Sequence, residues 1–320
     1  MDVIMRLPSC FSLVSESLKS VNRFDRGVGA LVAMLLVGCA HSPKPVSDVG
    51  ARPKAEGLTE VTLNHPVELR LKAKVGRNEK VDYLHHMISR SFENGVVRHQ
   101  KEESVEFTSQ AETLKVEPNG DFTQVLSITH KDGTVDLHAF ALPDVGEKLE
   151  ITANSRSQIL KAGDYPKGSI FYVPPISLPE GAVSVGDTWT MQAGWQSLEE
   201  GIPFRLDMVS ILRGFWRCGT DTCAEIEVSG GVGIEPPAPP MLTFKSEWKG
   251  KIYFAIDAGT VVWSRTDSEE SFTAENVYRK VDGCLEAALS EPSEIRLPGV
   301  AKPACEARTP APGTEVVSGT

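Results

Sequence analysis

The chain has 320 residues, 33 Lys and Arg against 43 Asp and Glu, a formal charge of −10 and 41% hydrophobic residues. That length and apolar content suffice for a sizeable core. An acidic body without a basic stripe repels polyanions, which excludes nucleic acid as a partner.

The first informative element is residues 27–38, GVGALVAMLLVG, an uncharged apolar run. A membrane-spanning helix needs roughly 20 apolar residues. This run is too short to span and suits the core of a signal peptide, with Arg23 and Arg26 just before it as the basic region. Pro43, Pro45 and Pro53 follow at once, which argues against an uncleaved buried helix. The run ends in Leu36-Val37-Gly38-Cys39, which resembles the bacterial lipobox. By that resemblance residues 1–38 are a lipoprotein signal peptide. Cys39 then receives diacylglycerol on its thiol, and cleavage follows Gly38. The residue after the cysteine is Ala40 rather than Asp, which in bacteria that sort by this position implies an outer-membrane address. The membrane partner is then reached through two or three acyl chains, which anchor stably where one holds weakly. An ordinary signal peptide with a chance cysteine is the competing reading. The stretch before Arg23 is long and carries Asp2 and Glu16, which admits a translation start further in, at Met5 or Val21.

Residues 39–57 are rich in Pro, Ser, Lys and Ala and read as a flexible tether, with a reach of ~25 Å. Strand signals then follow almost without interruption. Residues 61–75 alternate apolar and polar, and residues 81–92 and 96–107 flank Asn94-Gly95, a two-residue hairpin signal. Pro118-Asn119-Gly120 and Asp132-Gly133 turn the chain into strands at 122–130 and 135–142. Further strands are expected at 148–153, 188–195, 204–216, 224–232, 244–257 and 260–272. Only 196–200 and 285–289 read as short helical turns.

The expected fold class is therefore all-β and mainly antiparallel, with curved meander sheets in a half-barrel or barrel-like arrangement. There is room for one large structure or two consecutive units, 58–165 and 166–283, divided by the Pro-rich stretch 164–181. Residues 284–320 turn Pro-, Ser- and Glu-rich and read as a disulfide-closed, largely disordered tail.

Six cysteines are present. Cleavage removes Cys10, acylation takes Cys39, and an oxidising compartment leaves Cys218, Cys223, Cys284 and Cys305 for two disulfides. Spacing pairs Cys218 with Cys223 across a hairpin loop, and Cys284 with Cys305 around a segment whose closure is worth roughly 3 kcal/mol. A zinc site lacks ligands, since no His lies beyond His138, and a CxxC motif is absent. Without residues 1–38, which hold four basic and three acidic residues, the count is 29 basic against 40 acidic, a charge of −11.

The stretch from Leu178 to Trp189, LPEGAVSVGDTW, resembles a VxVGDxW motif of uncharacterised β-rich bacterial envelope families. Cys223-Ala224-Glu225-Ile226 and the run from Gly250 to Phe254 leading into Asp257-Ala258-Gly259 are similar too. The resemblance implies a β architecture over about residues 165–270 and no particular reaction. A second, fold-level likeness is to periplasmic lipoprotein carriers, whose half-barrels hold acyl chains on an apolar concave face. Strands apolar on both faces, such as Ile252, Phe254 and Ile256 opposite Tyr253 and Ala255, fit a sheet covered by protein or by ligand.

No nucleophile elbow, HExxH, P-loop or dinucleotide motif is present, and no cofactor is expected. If Asn94-Gly95 turns the chain, Arg90 faces His99 while His85 and His86 lie ~13–17 Å away at ~3.3 Å per residue, so no metal is shared within that hairpin. In the other hairpin His130 faces Val135, and His138 points to the opposite face. Glu102/Glu103, Glu199/Glu200 and Glu269/Glu270 are adjacent, point to opposite faces and are expected to be solvated. Residues 230–240, GGVGIEPPAPP, form a plain connection, a lid or a partner-docking loop. The reading favoured is a non-enzymatic, membrane-anchored envelope lipoprotein that binds or scaffolds an apolar ligand or a protein partner. An envelope-polymer hydrolase is the alternative.

Overall fold

In the computed structural model we describe residues 58–197, 201–236, 242–274, 277–300 and 302–305. The signal-peptide run, Cys39 and the tether lie outside the described residues. Eleven strands follow in order: β1 (Asn78–Glu93), β2 (Val96–Val116), β3 (Phe122–Asp132), β4 (Lys148–Ala153), β5 (Ile159–Ala162), β6 (Thr188–Gln196), β7 (Pro203–Cys218), β8 (Asp221–Ile234), β9 (Leu242–Ala255), β10 (Thr260–Ala274) and β11 (Val277–Glu291). Asn94 and Gly95 both take positive φ, 53° and 75°, as the tightest hairpin turn between twisted strands demands.

All eleven strands belong to one antiparallel sheet in the order β5-β4-β3-β2-β1-β11-β10-β9-β8-β7-β6. The two stretches expected as consecutive units are thus two meanders of a single sheet, and β1 pairs with β11 where they meet. Eleven strands laid flat would hold β5 and β6 roughly 48 Å apart at ~4.8 Å per step. Yet the single 3-10 turn Ile170–Tyr172 lies against both of them, and Gln196 N–H donates to Gly168 O at 2.8 Å. The sheet therefore curves until its edges approach, without closing into a barrel.

Paired residues of adjacent strands share a face, so the register defines an inner face and an outer one. The inner face of β6–β9 carries Phe204, Leu206, Met208, Ile226 and Phe254, covered by Val67 and Leu69 before β1 and by Val173, Ile176 and Val183 after β5. The inner face of β1–β3 carries Met87, Val105, Phe107 and Ile128, covered by Val135, Leu137 and Phe140. The outer face holds a separate core of Tyr253, Ala255, Trp263 and Ala288 under Ile295 and Leu297. Strand β9 is thus apolar on both faces because protein covers both.

Three segments depart from the sequence expectation. Residues 61–75 alternate as a strand would, but make only isolated bridges, Glu60 to Trp216 and Val67 to Val183. They form an extended strap across one end of the sheet, where Leu71 N–H donates to Ser155 O and Lys72 N–H to Gly259 O. Residues 135–142 are not a strand. Asp136 caps the 3-10 turn Leu137–Phe140 by accepting the His138 N–H at 3.0 Å, and Ala141 ends it at φ 55°. This turn rotates Leu137 and Phe140 onto the inner face. Finally, 284–291 are neither tail nor helical turn: they complete β11, where Leu285 and Ala287 face inward and Glu286 and Ala288 outward. Helix-forming residues become strand here because edges of β1 and β10 flank them on both sides.

Cys218 and Cys223 are bonded, with Cα atoms 5.8 Å apart. The turn they bracket is shorter than expected: Cys218 pairs with Asp221, leaving Gly219-Thr220 as the bend. Asp221 then ties this turn to the next, accepting N–H groups of Asp257 at 3.1 Å and Ala258 at 2.7 Å. Cys284 and Cys305 are brought together but are not bonded. They are free, buried thiols that share a hydrogen bond where the segment after β11 folds back over the outer face. That bond, and then burial, hold the Cys284 thiol far above its ordinary value.

Candidate functional site

One row of inner-face positions runs across the middle of the sheet: Glu103 (β2), Met87 (β1), Gly283 (β11), Ser268 (β10), Trp248 (β9) and Gly230 (β8). The rows on either side add His85, opposite Val105 and Leu285, and Glu270, opposite Val281 and Ser246. Ser210 on β7 lies in the His85 direction, opposite Val228. These five polar side chains have something in common besides their face. Both ring nitrogens of His85, Oε2 of Glu103, Oε1 of Glu270, Nε1 of Trp248 and Oγ of Ser210 are buried without a hydrogen-bond partner. Each such atom costs about 1–3 kcal/mol, so their concentration on one face is unusual for a self-sufficient core.

Two glycines shape this belt. A Cβ on Gly283 would sit 2.6 Å from Ser268 Oγ and 3.6 Å from His85 Nε2. The bare backbone of Gly283 therefore lets both polar groups converge over it. A Cβ on Gly230 would come within 3.1 Å of the Trp248 indole, so this glycine admits the ring. The belt is uncharged over most of its width. Burial, and then the neighbouring His86, push His85 down to about 4, so its imidazole is neutral at pH 7. Burial raises Glu270 well above the usual carboxylate range and favours the acid. Trp248 can only donate.

Glu103 and Glu270, expected in solvent, instead face inward. In each adjacent pair one carboxylate turns outward, Glu102 to His86 Nε2 at 2.9 Å and Glu269 to Lys280 at 3.3 Å, and its neighbour turns inward. The doublet itself was the signal, since two successive strand residues cannot share a face. Glu199 and Glu200 lie outside the described residues.

His99 faces Ser91 rather than Arg90, because a bulge between Ser91 and Phe92 shifts the register. His138 is held between two carboxylates, Nδ1 to Asp136 at 2.9 Å and Nε2 to Glu147 at 2.7 Å. The hydrogen bond to Asp136 leads in raising it, to about 9, against the opposing effect of burial. A protonated imidazole with both N–H groups engaged is a clamp, not a base. Its value exceeds the ordinary 6.5, so its contribution is whole below about 6.5 and is lost as pH rises through about 9. We expect the melting temperature to fall between pH 7 and 10 by the equivalent of about 1–2 kcal/mol, discounted for partial solvation. In His138→Gln that slope should be absent, and an unchanged slope would remove the clamp. Among the described residues no three His, Cys, Asp or Glu side chains converge as metal ligands.

The VGDxW motif is accounted for by structure. Gly186 turns at φ 95°, Asp187 Oδ2 accepts the Ser184 N–H at 2.8 Å, and Trp189 Nε1 donates to Ser177 O at 3.1 Å. Of the Pro/Gly stretch, residues 230–234 end β8, and 237–240 lie outside the described residues.

Fold and belt together define a single-sheet antiparallel β-protein with polar groups stranded on its inner face. No family model matches the chain, and no curated protein does. Among solved structures, an outer-membrane channel of Pseudomonas putida F1 aligns with 72% of this chain and 100% of its own, at 11% identity and a TM-score of 0.22. A likeness that distant carries neither fold nor function across.

Proposed function

We propose that this chain is a lipid-anchored protein of the bacterial envelope, at the outer membrane, whose body binds an apolar ligand non-catalytically on its inner face. The observation that carries the binding role is the belt of partnerless polar atoms between two apolar linings. The address rests on the apolar run and on Cys39, with residues 40–57 as the tether. In that oxidising compartment a disulfide-bearing oxidant takes two electrons and two protons from Cys284 and Cys305, joining the thiols already in contact.

One intact-mass experiment on protein extracted from its own membranes tests these points. The expected mass begins at Cys39, carries two or three acyl chains, and is four hydrogens short of the fully reduced chain. Cys39→Ser should release the protein from the membrane fraction. A chain starting elsewhere, or an unmodified Cys39, removes the anchor. A deficit of two hydrogens removes the second disulfide only. The same spectra recorded under native conditions report co-purifying lipid.

A further inference from the structure

We propose that the inner-face belt recognises the uncharged polar head of an amphiphile, an ester- or hydroxyl-bearing glyceride, whose acyl chain lies along the apolar lining beside it. This rests on the ligand-binding reading above and names the ligand class for that site.

The inventory of groups makes the case. Trp248 Nε1 and the Glu270 carboxyl lie on adjacent strands, β9 and β10, one row apart on the inner face. Side chains so placed have Cβ atoms roughly 7 Å apart, close enough for both to reach one headgroup. His85 converges with Ser268 over Gly283 on the next strand. His85 is 3% exposed, Glu270 5% and Ser210 not at all. A buried indole N–H, a carboxyl whose acid form burial favours, a neutral imidazole and a hydroxyl together offer donors and acceptors, while the Glu103 carboxylate beside them is already paired with Lys101. An ester carbonyl or a glycerol hydroxyl satisfies such groups. An ionised head would be desolvated there with no counter-ion, at a cost of several kcal/mol. Lys101, the cation next to Glu103 on this face, is already bound to it at 2.6 Å. Apolar surface for the chain is adjacent. Phe244 and Phe272 pair across β9 and β10 beyond Glu270, toward the end of the sheet away from the strap, and both are only partly buried.

The test uses the full lipidated chain in non-ionic detergent and two probes that differ only in head charge. One is a dibromostearoyl glycerol, the other its phosphate monoester at pH 7.5. Bromine quenching of tryptophan reports binding, and native mass spectrometry reports stoichiometry. The glyceride should quench saturably at one per chain, at least tenfold more tightly than the phosphate. Trp248→Phe and Glu270→Ala should each weaken it several-fold, whereas Glu269→Gln, on the exposed outer face, should bind like the parent. Equal or tighter binding of the phosphate overturns the assignment of an uncharged head while leaving a ligand-binding protein. No uptake of either probe by a protein of unchanged melting temperature overturns both readings. If Trp248→Phe proves misfolded, a folded Glu270→Ala variant that keeps the parent's affinity and glyceride preference overturns the assignment by itself.

Discussion

Arg90→Ala is expected to lower the unfolding free energy by about 3–5 kcal/mol, among the largest effects of any polar substitution in this chain. Arg90 Nη1 meets Asp282 Oδ2 at 2.5 Å, with both residues buried, and Nε donates to Gln100 Oε1 at 3.2 Å. One guanidinium thus links β2, β1 and β11 at the centre of the sheet. Its removal leaves the Asp282 carboxylate inside without a countercharge. Urea unfolding monitored by circular dichroism measures the loss. Arg90→Met with Asp282→Leu should recover much of it, because the pair itself contributes little once desolvation is counted. A single-variant loss under 1 kcal/mol would show instead that water reaches this pair.

Phe254→Ala should cost about 3–5 kcal/mol through lost burial and the cavity left behind. Phe254 is fully buried on β9 in the inner core, where strap and sheet meet. Its neighbours Leu69, Leu212 and Ile226 are each at 0% exposure. Strands on one side and backbone turns on the other leave little freedom for collapse into the gap. The midpoint should fall with no change in the denaturant slope. A changed slope would mean that the strap detaches and the native state itself has expanded.

The long strands were legible because their signals are local. Asn94-Gly95 sets a hairpin by backbone sterics alone, and the alternation of Phe204, Leu206 and Met208 marks a half-buried strand. The short bond from Cys218 to Cys223 was equally local. What escaped depends on partners far along the chain. The sequence from Cys284 to Leu289 is rich in helix formers, and only the flanking β1 and β10 make it a strand. The strap at 61–71 alternates as a strand does, yet beyond Val61, whose N–H donates to Phe215 O of β7, its partners are turns and loops rather than a neighbouring ladder. Within the candidate site, Glu270 and Glu103 were visible as halves of acidic doublets, but the side that would be enclosed was not. That depends on which face the strap and the turn Leu137–Phe140 cover. Trp248 and Ser210 carry no distinguishing local signal; their register alone places them beside the others.

The central position of β11 governs how the molecule is assembled. During synthesis β1 and β10 emerge as finished hairpin arms, each presenting an open row of amide and carbonyl groups, and they stay that way until residues 277–291 arrive to fill the gap. Closing that gap joins positions about two hundred residues apart, a slow event by loop-closure entropy. Throughout the wait, two matched templates for aggregation face outward. A nascent or truncated chain ending before residue 277 should therefore be a client for holding chaperones, and the finished one should not.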